Sequence, residues 1–357
     1  MSDYHLPDIA RDILEQRCVL LLGPDLIRCG GMPVNQALGA HLLSQHGRHV
    51  QHAFEREWLF KFMDEKSKRR IQTEAIPEFF RDVVPDSDTL LKLLSIPFHL
   101  VLQVSPDTFL SDCAHRHSVM HQFKYFCGGG KPVDAVELPA TANPLFYNLC
   151  GTKDRFDSMV LDFDDLYDYF NSVFNQPGLP QNLRTALEQC NTFLFLGFQL
   201  DKWYSQLLIR WISDVTGAER FSNKYNFGEK GQDLETFVRE HLQVFSAEKE
   251  HTELLSELYT HFEKLGKLRA LANPVSPSTV AVRRLVQNGE LEKALLMFHE
   301  LSDSIGEKNA STMLLSQFND LKTASSNYAL TKEQFWDKSQ NLKFRLLETM
   351  DKHAYAL

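Results

Sequence analysis

The sequence lacks cysteines in a C-x-x-C arrangement. Structural zinc sites of the ribbon type depend on such pairs, so we expect no metal site. Cysteines in apolar runs are usually small buried hydrophobes, and unpaired thiols are typical of a reducing compartment. We therefore expect a cytoplasmic protein. The six cysteines are Cys18, Cys29, Cys113, Cys127, Cys150 and Cys190.

Positive charge is also scarce, because 38 Lys and Arg stand against 47 Asp and Glu, a net charge of -9. A protein that binds nucleic acid directly needs a basic face, so we do not expect that activity. No apolar run approaches the length that spans a membrane. Residues 1–5 lack a basic stretch followed by an apolar one, so we expect no signal peptide.

Short apolar runs that stop at Gly, Ser or Pro are present instead. Continuous apolar runs of this length predict strands buried on both faces, as in a parallel sheet. Because helical patterns lie between them, we predict an α/β fold, a Rossmann-like doubly wound parallel sheet. Ligands of such sheets bind beyond the carboxyl ends of the strands. The predicted strands are 18–22, 100–102, 135–136, 146–149, 193–196 and 244–245, and the main helices are 8–16, 164–174, 183–189, 203–215 and 252–265.

The chain divides into two predicted domains. Residues 1–272 contain the strands, with a helix-rich insert at about 35–95 that we expect to cap the sheet. Residues 273–277 contain two prolines and predict a linker. Residues 278–357 show helical periodicity without strands and predict a small all-α bundle of about four helices. Within it, Thr331 and Gln334 have the spacing of a capping box.

One of the predicted strands is followed by the sequence GFQLDKW at residues 197–203. This segment resembles bacterial sirtuin-like domains of the silent information regulator two family, in which a strand precedes Gly-Phe/Tyr-Ser-Leu-Asp-Asp-Trp and an apolar helix. The resemblance extends over about residues 13–265 and implies a domain that binds NAD or an ADP-ribose-like nucleotide. It implies cofactor contacts at Gly197, Phe198 and Gln199.

The loop after the first strand begins Gly23-Pro24-Asp25. Sirtuins have Gly-Ala-Gly-Ile-Ser here, and the resemblance implies that Gly23, Pro24 and Asp25 lie at the cofactor. A carboxylate beside a pyrophosphate is repulsive unless it points away or meets a cation. A tight strand-to-helix turn that requires Gly23 is the alternative interpretation.

Three further positions correspond to the catalytic site of the family. Cys150-Gly151 stands where sirtuins have His-Gly, whose histidine is the base that cleaves the nicotinamide–ribose bond. Ser105 stands where an asparagine positions ribose and water, and Asp107 is retained. The resemblance implies catalytic positions at Cys150, Ser105 and Asp107 and a cofactor contact at Gly151. The alternatives are a buried structural thiol, and a turn with a helix cap at Ser105 and Asp107.

The helical tail resembles the effector-associated, death-domain-like adaptor domains of bacterial conflict systems. Residues 282–295 have their short helix, Gly and Leu-Glu-x-Ala-Leu opening, and residues 328–335 resemble their final turn. This resemblance implies a protein partner with a like adaptor domain, bound through residues 278–357, and a homo-oligomer. The alternative is a bundle that only stabilises the first domain.

Three functional hypotheses follow. In the first, the protein is a sirtuin-like effector or sensor of an antiphage system that binds NAD or a related nucleotide without hydrolysing it. In the second, it is an active NADase triggered by partner binding or assembly. In the third, Cys150 is a nucleophile for different chemistry. The combined changes at Asp25, Ser105 and Cys150 argue against the usual hydrolysis, because losing one catalytic group costs orders of magnitude in rate.

Overall fold

A parallel β-sheet runs through the first part of the chain. The computed structural model describes residues 5–54, 57, 59–127, 135–174, 179–216, 223–227, 236–247, 249–272, 277–287, 289–302, 307–326 and 330–353. In chain order the strands are β1 (Cys18–Leu22), β2 (Arg28–Cys29), β3 (Met32–Pro33), β4 (Val50–Phe54), β5 (Leu59–Phe62), β6 (Leu100–Gln103), β7 (Gln122–Tyr125), β8 (Leu145–Asn148), β9 (Thr192–Leu196), β10 (Asn223–Phe227) and β11 (Val244–Ala247).

Helices alternate with these strands and then continue alone. In chain order they are α1 (Leu6–Leu14), α2 (Val34–His46), α3 (Glu65–Arg70), α4 (Ile76–Asp82), α5 (Ser87–Ser95), α6 (Phe109–Arg116), α7 (Phe163–Phe174), α8 (Gln181–Glu188), α9 (Trp203–Thr216), α10 (His251–Lys264), α11 (Pro277–Gln287), α12 (Leu291–Leu301), α13 (Lys308–Ser326) and α14 (Lys332–His353). None of the described helices combines the length and the apolar character needed to cross a membrane.

The chain forms two units. The first comprises Met1–Leu110 with His121–Arg269, and the second comprises Ser111–Met120 with Ala270–Leu357. Of the linker predicted at residues 273–277, residues 273–276 lie outside the described residues.

The sheet of the first unit has seven strands in the order β11-β10-β9-β1-β6-β8-β7. All neighbouring strands are parallel. Every residue of β1 is buried, as expected of a strand with helices on both faces. The chain moves from β1 to β6 on one side and later to β9 on the other, so β1 marks the point where the winding reverses. The predicted Rossmann-like doubly wound fold is confirmed.

The predicted insert holds a hairpin as well as helices. Strands β4 and β5 pair antiparallel, between α2 and α3. The Phe60 backbone N–H donates to the Leu161 carbonyl at 2.9 Å. The Lys68 ammonium lies 2.6 Å from an Asp162 carboxylate oxygen and 2.7 Å from one of Asp165. These contacts attach the hairpin and α3 to the segment that begins α7.

The second unit is helical, as predicted. Helices α11 to α14 share a core of buried apolar side chains that includes Val282, Leu295 and Leu346. The capping box before α14 is confirmed: the Gln334 N–H donates to the Thr331 hydroxyl oxygen at 3.2 Å, and the Thr331 N–H donates to the Gln334 amide oxygen at 3.0 Å.

One strand prediction was wrong. Residues 135–136 are loop, because a brief apolar run does not specify a strand without a neighbour to pair with. Strands β7 and β10 and the β4–β5 hairpin were not predicted from the sequence. In β7 polar and aromatic residues alternate on a half-buried edge strand, and in β10 Asn and Lys interrupt the apolar residues.

Replacing Lys68 by Met should destabilise the protein by about 2–4 kcal/mol, because it leaves two poorly exposed carboxylates without their cation. Burial disfavours the charged form of Lys68, but hydrogen bonds to Asp162 and Asp165 outweigh it and raise its pKa. Denaturant unfolding measures the loss. The control is Lys66→Met, an exposed residue of the same helix. Equal stability of the two variants would contradict the attachment.

Candidate functional site

A cavity lies at the carboxyl ends of the central strands, beneath the inserted hairpin. Its volume is about 120 Å³. Loops after β1, β6, β8 and β9 form its floor, and α2, the hairpin, α7 with the segment before it, and α9 supply the rest of its wall. Its lining residues are Pro24, Asn35, Leu38, Glu57, Leu59, Phe60, Val104, Pro106, Cys150, Val160, Leu161, Leu166, Tyr169, Phe170, Phe198, Gln199, Tyr204, Ser205 and Leu208.

The loops after β1 and β9 touch through two glycines. The Gly23 N–H donates to the Leu196 carbonyl at 2.8 Å, and the Asp25 N–H donates to the Gly197 carbonyl at 3.2 Å. A Cβ on Gly23 would lie 2.1 Å from the Gly197 carbonyl oxygen. Gly197 itself has φ of +72°. Both glycines are thus required by the contact between the two loops, whether or not a nucleotide also approaches them.

Asp25 is turned toward the β9 loop. The Gln199 amide donates to one Asp25 carboxylate oxygen at 2.6 Å. The other oxygen is buried without a hydrogen-bond partner among the described residues. Burial raises the pKa of Asp25, partly opposed by the Gln199 hydrogen bond and by the charges of His251 and Arg28. The structure therefore disfavours a negative charge at the position where the family has a glycine.

Ser105 and Asp107 contact each other rather than the cavity. The Ser105 hydroxyl donates to the Asp107 carboxylate at 2.5 Å, and the Phe109 N–H donates to its other oxygen at 3.1 Å. Amides of Gln103 and Asn148 donate to the Asp107 carbonyl. Both side chains are buried. This network holds the turn that begins α6, and the neighbours Val104 and Pro106 line the cavity instead.

Cys150 lines the cavity, next to Tyr169 and Tyr204. Burial raises the pKa of the Cys150 thiol to about 12, so the thiol is protonated at neutral pH. Gly151 follows with φ of +82°, and a Cβ there would lie 2.0 Å from the Ser158 carbonyl oxygen. Gly151 thus allows the loop after β8 to fold back on itself.

Five polar residues of the cavity were not predicted from the sequence. Asn35 comes from α2, Glu57 from the turn of the hairpin, and Tyr169 from α7, whereas Tyr204 and Ser205 come from α9. The Tyr204 hydroxyl donates to the Glu57 carbonyl at 3.2 Å. Alternation of strands and helices locates the edge of the sheet, but no local pattern indicates which insert residue faces it.

Two polar atoms in the cavity wall suit a ligand that forms hydrogen bonds. The Tyr169 hydroxyl and one Glu57 carboxylate oxygen are buried, and neither has a partner among the described residues. Buried polar groups are normally satisfied, so such atoms indicate a missing partner. The cavity is close in size to an engineered apolar cavity of about 150 Å³ that admits benzene. A single aromatic ring with a polar substituent, such as nicotinamide, therefore fits these residues.

No metal is implied by the residues described. They include no group of three His, Cys, Asp or Glu side chains close enough together to hold an ion.

Gly23→Ala should destabilise the protein by about 3 kcal/mol or more, because backbone atoms of the β9 loop occupy the position of the new methyl group. Thermal or denaturant unfolding measures the effect. Gly39→Ala is the matched control, since α2 leaves open space at that site and a helix favours Ala by about 0.5–1 kcal/mol. A Gly23→Ala protein as stable as the control would show that the loops separate easily.

Cys150 should react with iodoacetamide roughly a thousandfold more slowly at neutral pH than it does in the denatured protein, because only the thiolate attacks. The rate should increase about tenfold per pH unit. Peptide mass spectrometry follows this residue separately from the other cysteines. Rapid alkylation at neutral pH would reveal a neighbouring base and favour a nucleophilic role.

Comparison with known proteins gives a family match to part of the chain. Residues 104–252 match the model of the SIR2-like domain. The search of curated proteins found no match. The matched segment begins after β6 and ends early in α10, so it includes Cys150 and the β9 loop, whereas Gly23 and Glu57 precede it. SIR2-like domains bind NAD-type nucleotides. Together, the match and the parallel sheet support a sirtuin-like domain in the first unit.

Proposed function

We propose that the first unit binds NAD or a related nucleotide, with one ring in the cavity, and acts as a sensor or effector. The observation that carries this proposal is the ring-sized cavity at the carboxyl edge of a SIR2-like sheet, with two unsatisfied polar atoms in its wall. Ligands of open α/β sheets bind at this edge, beside the strand where the winding reverses.

We do not propose that Cys150, at the position of the family's histidine base, supports NAD hydrolysis. Proton abstraction near neutral pH requires a group with a suitable pKa, and Cys150 has a pKa of about 12. The Ser105 hydroxyl donates to Asp107, and the Gln199 amide donates to Asp25. Ser105 and Asp25, at positions that correspond to the family's site, thus take part in hydrogen bonds that stabilise the loops of this chain. This arrangement is compatible with nucleotide binding.

The second unit would bind a protein partner, while the first unit binds the nucleotide. We propose that residues 278–357 bind a protein with a like adaptor domain, that the protein forms homo-oligomers, and that it serves a bacterial antiphage system in the cytoplasm. Exposed aromatic side chains support a partner surface: Trp336 and Phe344 both protrude from α14. Aromatic side chains are enriched at the centres of protein–protein interfaces.

An active NADase, triggered by partner binding or assembly, is the second candidate. The Glu57 carboxylate favours it, because it lies in the cavity wall and has one unsatisfied oxygen. A carboxylate can accept a proton where the family histidine is missing.

Purified full-length protein should bind NAD without releasing nicotinamide. We expect NAD to raise the melting temperature, since a ligand of the native state stabilises it, and nicotinamide to stay at background with or without a candidate partner. Chromatography of the reaction measures nicotinamide, and Cys150→Ala should behave like the wild type in it. Turnover that survives Cys150→Ala but is lost in Glu57→Gln would replace the sensor with the NADase. Absence of any thermal shift would contradict nucleotide binding itself.

A further inference from the structure

An exposed apolar surface lies on the outer side of α7 and at the start of α9. In α7, the positions i, i+4 and i+11 counted from its first residue fall on one side of a helix with about 3.6 residues per turn. The side chains at these positions, Phe163, Tyr167 and Phe174, are 54–61% exposed. In α9, Trp203 and Leu207 are 44% and 38% exposed. We call these five side chains the α7–α9 face.

Ring contacts join the two halves of the α7–α9 face. The rings of Phe170 and Phe174 are stacked, with their centroids 5.6 Å apart and their planes inclined by 16°. The centroid of the Phe170 ring also lies 6.1 Å from that of Trp203. Phe170 itself is buried. The exposed side chains of the two helices therefore surround one buried ring and form a continuous surface.

The area of the α7–α9 face suits a contact between proteins. Since a large aromatic side chain buries about 150–250 Å², the exposed fractions correspond to roughly 400–500 Å² of apolar surface. Two such faces together would bury about 800–1,000 Å² before the surrounding polar residues are counted, and specific interfaces begin near 1,000 Å². The face therefore suits a reversible association of moderate strength.

Charges of opposite sign flank the α7–α9 face. With a rotation of about 100° per residue, the exposed Asp164 and Asp168 lie on the side of α7 that is turned away from Phe170 and α9. On α9, the exposed Arg210 forms an ion pair with Asp214 at 3.2 Å. Exposed pairs four residues apart on a helix contribute little, so Arg210 can exchange this partner for a carboxylate of another molecule.

Opposite charges on opposite flanks make the face complementary to itself. In a two-fold dimer, a contact between two residues occurs twice, with the two copies exchanged. The acidic flank of one copy would therefore meet Arg210 of the other, with the apolar side chains between these contacts. A membrane surface is a poorer occupant, because the flanking carboxylates and the net charge of -9 are repelled by anionic lipids.

We propose that a second copy of this chain binds to the α7–α9 face, so that the first unit forms a two-fold dimer. This inference rests on the homo-oligomer of the proposed function and assigns it to a surface. It places self-association on the first unit and leaves the exposed aromatic side chains of α14 to a different protein.

The full chain should show a reversible monomer–dimer equilibrium in sedimentation velocity between about 1 and 100 μM. Tyr167→Glu should weaken the dimer at least about tenfold, because it buries an unpaired charge in the interface. Tyr167 is exposed and is not among the lining residues of the cavity, so the variant should fold normally. Phe344→Glu is the matched control, because it changes an exposed aromatic residue of α14 in the same way. It should dimerise like the wild type.

Charge reversal tests whether the two copies meet through opposite flanks. Asp168→Arg and Arg210→Glu should each weaken the dimer at least about fivefold, because like charges then face each other. An equimolar mixture of the two variants should regain nearly the wild-type affinity, because each reversed residue then meets an opposite charge in the other copy. A folding defect in either variant would not produce this recovery.

The outcomes separate the dimer from the other proposals. A chain that stays monomeric at every concentration would assign the face to another protein and overturn the inference. Loss of the dimer in Phe344→Glu but not in Tyr167→Glu would move self-association to the second unit, which keeps the proposed homo-oligomer and overturns the inference. If Tyr167→Glu weakens the dimer but NAD gives no thermal shift with wild-type protein, the inference stands and nucleotide binding fails.

Discussion

The attachment of the inserted region to α7 is the interaction on which the candidate site depends. The Lys68 ammonium between Asp162 and Asp165 and the backbone bond from Phe60 to Leu161 hold the hairpin against the start of that helix. The parallel sheet alone provides an edge with loops. The cavity forms because the hairpin supplies the opposite wall, including Glu57.

At the carboxyl edge of the sheet, the polar groups that can bind a ligand are those that do not already have hydrogen-bond partners within the protein. The Gln199 amide donates a hydrogen bond to the Asp25 carboxylate, and the Ser105 hydroxyl donates one to the Asp107 carboxylate. Both pairs therefore stabilise loops. Among the described residues that line the cavity, the unsatisfied atoms belong instead to Tyr169 and Glu57. The unsatisfied atoms of the cavity wall therefore lie on residues other than those that the family resemblance implies for catalysis.

The fold was predictable from sequence because each buried strand of the sheet centre is a continuous apolar run, as in β1 and β9. The capping box at Thr331 was predictable because its signal is local. The hairpin and β7 were not, since edge strands with alternating residues depend on pairing partners that are distant in the chain. Likewise, the family resemblance placed Cys150 and Gln199 near the site, whereas the position of Glu57 in the cavity wall follows only from the tertiary fold.

The contact between Gly23 and Gly197 has a mechanical consequence. Because carbonyl and amide groups meet with no side chain between them, the β1 and β9 loops share one backbone surface and must move together. The Gln199 side chain adds a further link between the same loops through its hydrogen bond to Asp25. The two loops thus form a single unit, and a displacement of one is expected to displace the other.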